Sequence, residues 1–243
     1  MEKQKTFVLV HGSWQGNFAW EIIKLKLAQS GHEVINIELP GHGAERGFSG
    51  NLTMTDYRDS VISQLMRIDG QAILVGHSMG GMVISAVAES IPVKIEKLVF
   101  LAAFVPANGD SLLKLAMQDT ESLVMKKVVL SEDQSVLRFD QKDLAEIFIQ
   151  DAKHFADLFI TQYQDEPAEP NRTALTLTAE RFGAIPKYYI YTLHDNAISI
   201  NRQQEMAKFA GIKKTYELSS GHTPQLSKPD ELTHILLSIA GNY

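Results

Sequence analysis

Gln71-Ala-Ile-Leu-Val-Gly-His-Ser-Met-Gly-Gly-Met-Val-Ile84 decides how the rest of this chain is read. A short apolar strand runs into Gly76-His77-Ser78-Met79-Gly80 and leaves as a helix of small and apolar residues that stops before Pro92. The pattern predicts a serine on a sharp strand-to-helix turn, where its hydroxyl projects clear of the sheet within reach of a base. Glycine is needed two residues to either side because a Cβ there would meet the neighbouring strand or helix. The same turn directs the Met79 amide and the positive end of the helix at the place where an oxyanion would form. A glycine-rich turn that only packs a helix on a strand is the competing reading.

Outward from this turn, strands and helices alternate. Thr6 to Val10 reads as an apolar strand, Phe18 to Gln29 as a helix closed by Gly31, and Glu33 to Ile37 as a second strand leading to Pro40-Gly41-His42-Gly43. A helix from about Met54, with Thr53 and Asp56 in capping-box positions, precedes the strand of the turn, and Leu98 to Ala103 follows its helix. Such alternation predicts an α/β fold: a mostly parallel sheet with helices on both faces. Between Pro106 and about Arg181 the rhythm gives way to a helix-like, mixed stretch, read as a cap inserted into the core. Lys187 to Leu193 and Lys214 to Leu218 resume the sheet, and a last helix begins near Pro229 behind Ser227. The expected organisation is one domain: core 1–106 and 181–243, cap 107–180.

The 243 residues are 44% apolar, enough for one sizeable core. A net charge of −6, with Lys and Arg scattered, argues against nucleic acid and anionic membranes as partners. Cysteine is absent, so disulfides, thiolate metal sites and a Cys nucleophile are excluded. The apolar run Phe7 to Val10 is too short for a signal h-region or a membrane span, and a cytoplasmic location is the expectation. A homodimer is compatible with the composition.

A serine alone is a poor nucleophile at neutral pH, so a base and an orienting acid are sought at the ends of late strands. Asp195 follows the strand Tyr188 to Leu193, and His222 follows the strand ending at Leu218. Both fall at strand C-terminal ends, the edge where an open parallel sheet carries ligands. The neighbouring His194 is read as a loop residue, and Asp165 and Glu166 as solvated charges of the cap. Val10-His11-Gly12-Ser13-Trp14 supplies the second oxyanion donor, the Ser13 amide, with Gly12 permitting the close turn. His11 and His77 are read as bracing loops rather than moving protons, and no His or carboxylate pair has metal-ligand spacing.

With these residues in place, the chain resembles the α/β-hydrolases, and within them the methylesterase and hydroxynitrile lyase branch. The resemblance rests on Phe7-Val-Leu-Val-His-Gly-Ser-Trp14 with Gly16-Asn-Phe-Ala-Trp20, on Ile73 to Gly81, on Ile95-Glu-Lys-Leu-Val-Phe-Leu-Ala102, and on Gly221-His222 leading to Gln225-Leu-Ser-Lys-Pro229. It spans both halves of the core and fades in the cap. It implies hydrolysis of small esters by Ser78, Asp195 and His222 without a cofactor. Lyases of that branch typically carry Thr at the position of Gly12 and Lys at that of Thr223, so this chain sides with the esterases. Cofactor-free lyase, thioesterase, carbon–carbon hydrolase and receptor-like binding are the alternatives, because fold and triad do not fix the bond cleaved.

Overall fold

A computed structural model describes residues 4–43 and 52–241. Six strands form one parallel sheet: β1 (Thr6–Val10), β2 (Glu33–Asn36), β3 (Ala72–His77), β4 (Ile95–Leu101), β8 (Lys187–Thr192) and β9 (Lys214–Leu218), in the order β2-β1-β3-β4-β8-β9. The central strands are buried on both faces, which is why they read as continuous apolar runs. Their side chains still alternate. Val8, Val10, Leu74, Leu98, Phe100 and Tyr189 join α2 (Met54–Leu65), α3 (Gly80–Ser90) and α9 (Ile200–Phe209) in one core layer. Phe7, Leu9, Ile73, Val75, Val99 and Ile190 join α1 (Glu21–Gln29) and α11 (Pro229–Ala240) in the other.

Local chemistry sets some of the helix starts. At α2 the Thr53 N–H donates to Asp56 Oδ2 at 2.7 Å, as the capping box predicts, and the Thr53 hydroxyl adds a bond to the same oxygen. Residues 17–20 form a separate 3₁₀ turn ahead of α1 rather than its first turn. The expected cap at Ser227 does not form: Ser227 ends the short helix α10 (Pro224–Ser227), and Lys228 holds the N-cap of α11 without a side-chain bond.

Between β4 and β8 lie five short helices, α4 (Leu112–Ala116), α5 (Leu123–Lys127), α6 (Gln141–Phe148), α7 (Ala156–Gln162) and α8 (Ala168–Arg172). They are joined by an antiparallel sheet of β5 (Val129–Leu130), β6 (Val136–Arg138) and β7 (Glu166–Pro167), which the helix-like reading of this stretch misses. The segment does not pack alone. Its aromatic cluster of Phe139, Phe148 and Phe159 takes in Trp14 from the loop after β1, while Leu112, Leu115, Leu175 and Leu177 join the core layer of α2 and α3.

Candidate active site

Ser78 follows β3 with φ 54°, in the left-handed region that an ordinary residue adopts only when its surroundings hold it there. The holding contacts are visible. The Ser78 N–H donates to Leu101 O (3.2 Å), and its carbonyl accepts from the amides of Gly81 and Phe104 (3.1 Å each), so the turn is pinned to the end of β4. A Cβ on Gly76 would stand 2.5 Å from the Gly80 carbonyl oxygen, and one on Gly80 would stand 2.7 Å from that of Val10. The flanking glycines are therefore required by contact with the following helix and the neighbouring strand.

Asp195 lies three residues beyond β8, and its carboxylate collects five donors. Oδ1 accepts from the amides of Ala197 (2.7 Å) and Ile198 (2.9 Å). Oδ2 accepts from the Thr192 hydroxyl (2.8 Å), Gln203 Nε2 (3.2 Å) and His222 Nδ1 (2.8 Å). An ionised carboxylate can only accept, so the proton of His222 is fixed on Nδ1 and Nε2 is left with a lone pair. Both side chains are sequestered, 0% and 1% exposed. His194, by contrast, is exposed and pairs with the Ser219 hydroxyl, away from this cluster.

The loop after β1 closes over the serine. A Cβ on Gly12 would lie 2.7 Å from Ser78 Cβ. Among the described residues, neither the Ser13 nor the Met79 amide has an acceptor. His11 and His77 bridge loops. His11 Nδ1 donates to Gly12 O (2.8 Å) and its Nε2 accepts from the Leu39 amide (3.1 Å). Burial, with His42 alongside, lowers its pKa to about 3, so its 3.5 Å approach to Glu38 is not an ion pair. His77 Nε2 donates to the His222 carbonyl (2.8 Å), the two rings lie 4.6 Å apart, and burial holds His77 well below the usual histidine range.

Ser78, Ser13 and Trp14 line one cavity of about 70 Å³ with Phe104, Leu112, Met125 and Phe148; the Phe148 ring stands 5.8 Å from that of His222. Besides Ser13 and Ser78, the polar groups on its wall are Asp119, Ser122 and Asn171. Among the described residues no group of His, Asp or Glu has the arrangement of a metal site.

Ser78 in its left-handed turn and Phe148 thus share one apolar cavity, and the His222–Asp195 pair stands against Phe148. The profile of the alpha/beta hydrolase family matches residues 7–235. The chain belongs to that family. Methylesterase 7 of Arabidopsis thaliana is 30% identical to this hydrolase over 99% of its chain and 98% of the relative. Salicylic acid-binding protein 2 of Nicotiana tabacum is 30% identical over the whole of both chains. An Arabidopsis chloroplastic protein that carries the name methylesterase 11 is 32% identical over 96% of the hydrolase, which spans 63% of that relative's length. Among solved structures, polyneuridine aldehyde esterase superposes with a TM-score of 0.87 at 25% identity, covering 98% of this hydrolase and 100% of that chain. An extracellular alpha/beta-hydrolase from a Paenibacillus species superposes with 0.82 at 28% identity, covering 96% and 98%.

One reading of this hydrolase's cap needs correction. Glu166 is not a solvated charge. It is fully buried and accepts from the Trp14 amide (3.0 Å), His42 Nε2 (2.9 Å) and the Tyr57 hydroxyl (3.2 Å). Only Asp165 remains at the surface, paired with Arg138. Gln203 and Thr192, which steady Asp195, also escape sequence reasoning, because neither lies in a motif.

Proposed function

We propose that this chain is a serine esterase that cleaves small carboxylic esters through an acyl-enzyme. His222 Nε2 takes the proton of the Ser78 hydroxyl as its oxygen attacks the ester carbonyl. The Ser13 and Met79 amides receive the oxyanion of the tetrahedral intermediate. The imidazolium, steadied by Asp195, returns the proton to the departing alcohol. Water then attacks the acyl group with His222 again as base, releasing the acid and restoring Ser78.

The observation that carries this reading is the 2.8 Å bond between His222 Nδ1 and Asp195 Oδ2, taken together with a serine that the fold holds in a left-handed turn. The small, mostly apolar cavity favours short-chain or aryl esters. Thr223 carries no charge and gives its hydroxyl to the Phe148 carbonyl, so nothing at that position would stabilise a departing cyanide ion. The names of the methylesterase relatives point the same way. A cytoplasmic location belongs to the same proposal, and cell fractionation tests it.

The test is covalent labelling together with turnover. A fluorophosphonate should modify wild type once, at Ser78, and should leave a folded Ser78→Ala variant unmodified. Ser78→Ala and His222→Ala should each lower kcat by about 10⁴- to 10⁶-fold on p-nitrophenyl esters, with the double variant hardly worse. Asp195→Asn should cost less, because it misorients the imidazole without removing it. Labelling at another serine, or mandelonitrile cleavage without ester hydrolysis, would overturn the reading. Binding of esters without turnover would leave a receptor in its place.

A further inference from the structure

We propose that Glu166, in the inserted segment, is a positioning residue for the oxyanion loop of the β1 end. The proposal rests on the serine esterase reading, since it assigns the Ser13 amide to that loop. Glu166 stands on β7, opposite Leu137 of β6, and its side chain crosses to three core elements at once. It takes the Trp14 amide from the loop after β1, His42 from the loop after β2, and the Tyr57 hydroxyl from α2.

Trp14 is the strained member of its loop, with φ 60°. It directly follows Ser13, so the peptide that Glu166 grips shares its α-carbon neighbour with the amide assigned to the oxyanion. Gln164, two residues earlier, adds to the contact: its amide donates to the Trp14 carbonyl (3.4 Å), and its Nε2 donates to Gln15 O. The inserted segment thus fixes both sides of Trp14. The Trp14 indole completes the hold by donating to Leu137 O (2.9 Å).

A carboxylate suits this place. Glu166 meets three donors, and His42 faces oxygen at both ring nitrogens, Glu166 at one and the Pro40 carbonyl at 3.1 Å at the other, so both must carry hydrogen. A carboxylate offers two acceptor oxygens and balances the imidazolium charge. An amide offers one oxygen and no charge: even if the Tyr57 hydroxyl turns to accept one of its N–H groups, that single oxygen must serve both the Trp14 amide and His42, and the charge opposite His42 is lost.

The decisive comparison is Glu166→Gln against wild type, with kcat counted per Ser78 labelled by fluorophosphonate, so that misfolded protein does not enter. Glu166→Gln should lower kcat by about 10- to 100-fold with KM within about threefold, since a displaced donor weakens the transition state more than substrate binding. Glu166→Asp, which keeps the charge, should recover part of the loss, and Asp165→Asn on the neighbouring surface residue should leave kcat unchanged. Unaltered kcat in folded Glu166→Gln, with only a lowered melting temperature, would overturn the proposal while leaving the esterase intact. Absence of labelling in wild type would instead remove the esterase reading and this one with it. If Glu166→Gln does not fold, Glu166→Gln/His42→Gln, which takes both charges out together, is measured for the same loss. In unaltered protein the Trp14 amide should exchange slowly with solvent, and exchange as fast as an open loop would equally refute the bond.

Discussion

A methyl group on Gly12 would press on Ser78 Cβ at 2.7 Å and on the His77 carbonyl at 3.3 Å, and neither atom is the free end of a flexible chain. The loop and Ser78 are thus spaced by the absence of one carbon. Gly12→Ala should force them apart by a few tenths of an ångström, lowering kcat per labelled serine by about 100-fold. Its stability cost should be about 1–3 kcal/mol, the usual range for overpacking. Wild-type turnover in that variant would show that the loop yields without consequence. The position also explains why a threonine here, as the lyase branch typically has, would require this chain's loop to stand elsewhere.

At the level of elements, the first turn of α2 offers a clean measurement. Thr53 hydrogen bonds hold the Asp56 carboxyl below its ordinary pKa while leaving it almost wholly in solvent. Asp56→Ala should cost about 1 kcal/mol, a typical capping contribution, and lower Tm by about 2–4 °C in a chain of this size. Esterase kinetics should not change; an unmoved Tm would mean the box is ornamental. That turn belongs to the part of the molecule legible in sequence, because a capping box, a buried strand and a Gly-x-Ser-x-Gly turn each write their cause within a few neighbouring residues. β5, β6 and β7 do not: strands of two or three residues leave no periodicity, and β6 pairs with β7 across the whole of α6 and α7. Asp195 and His222 are legible by their place after strands, whereas Glu166 looks like any acid in a polar turn, since its partners stand 109 to 152 residues away.

The whole molecule carries a pH dependence set by histidines that the fold keeps dry. His11 stays neutral in the folded state down to about pH 3, and His77 is displaced in the same direction. In the unfolded chain each takes a proton near pH 6.5. Their contribution to stability is therefore complete above that pH and is lost as pH falls below it, by about 1.4 kcal/mol per pH unit for each. His42 runs the opposite way: burial lowers its pKa, Glu166, the Pro40 carbonyl and Glu38 together raise it by more, and the stability it confers is lost as pH rises through its folded pKa. Urea unfolding between pH 7 and 5 should show the decline, and the ring protons of His11 and His77 should not titrate across that window. A flat stability profile, or titrating rings, would contradict it.

The bond from β7 to the loop after β1 bears on how such a protein can change its diet over generations. An inserted segment that only roofed the cavity could be traded between lineages like a lens, each exchange altering what is admitted and nothing else. Here the roof also holds one wall upright. A graft lacking the acid of Glu166 would take away the partner of the buried His42 and release Trp14, so a new specificity would arrive with damaged turnover. Innovation in this lineage should proceed by substitutions on the cavity face, at residues such as Met125 or Leu112, before it proceeds by wholesale exchange.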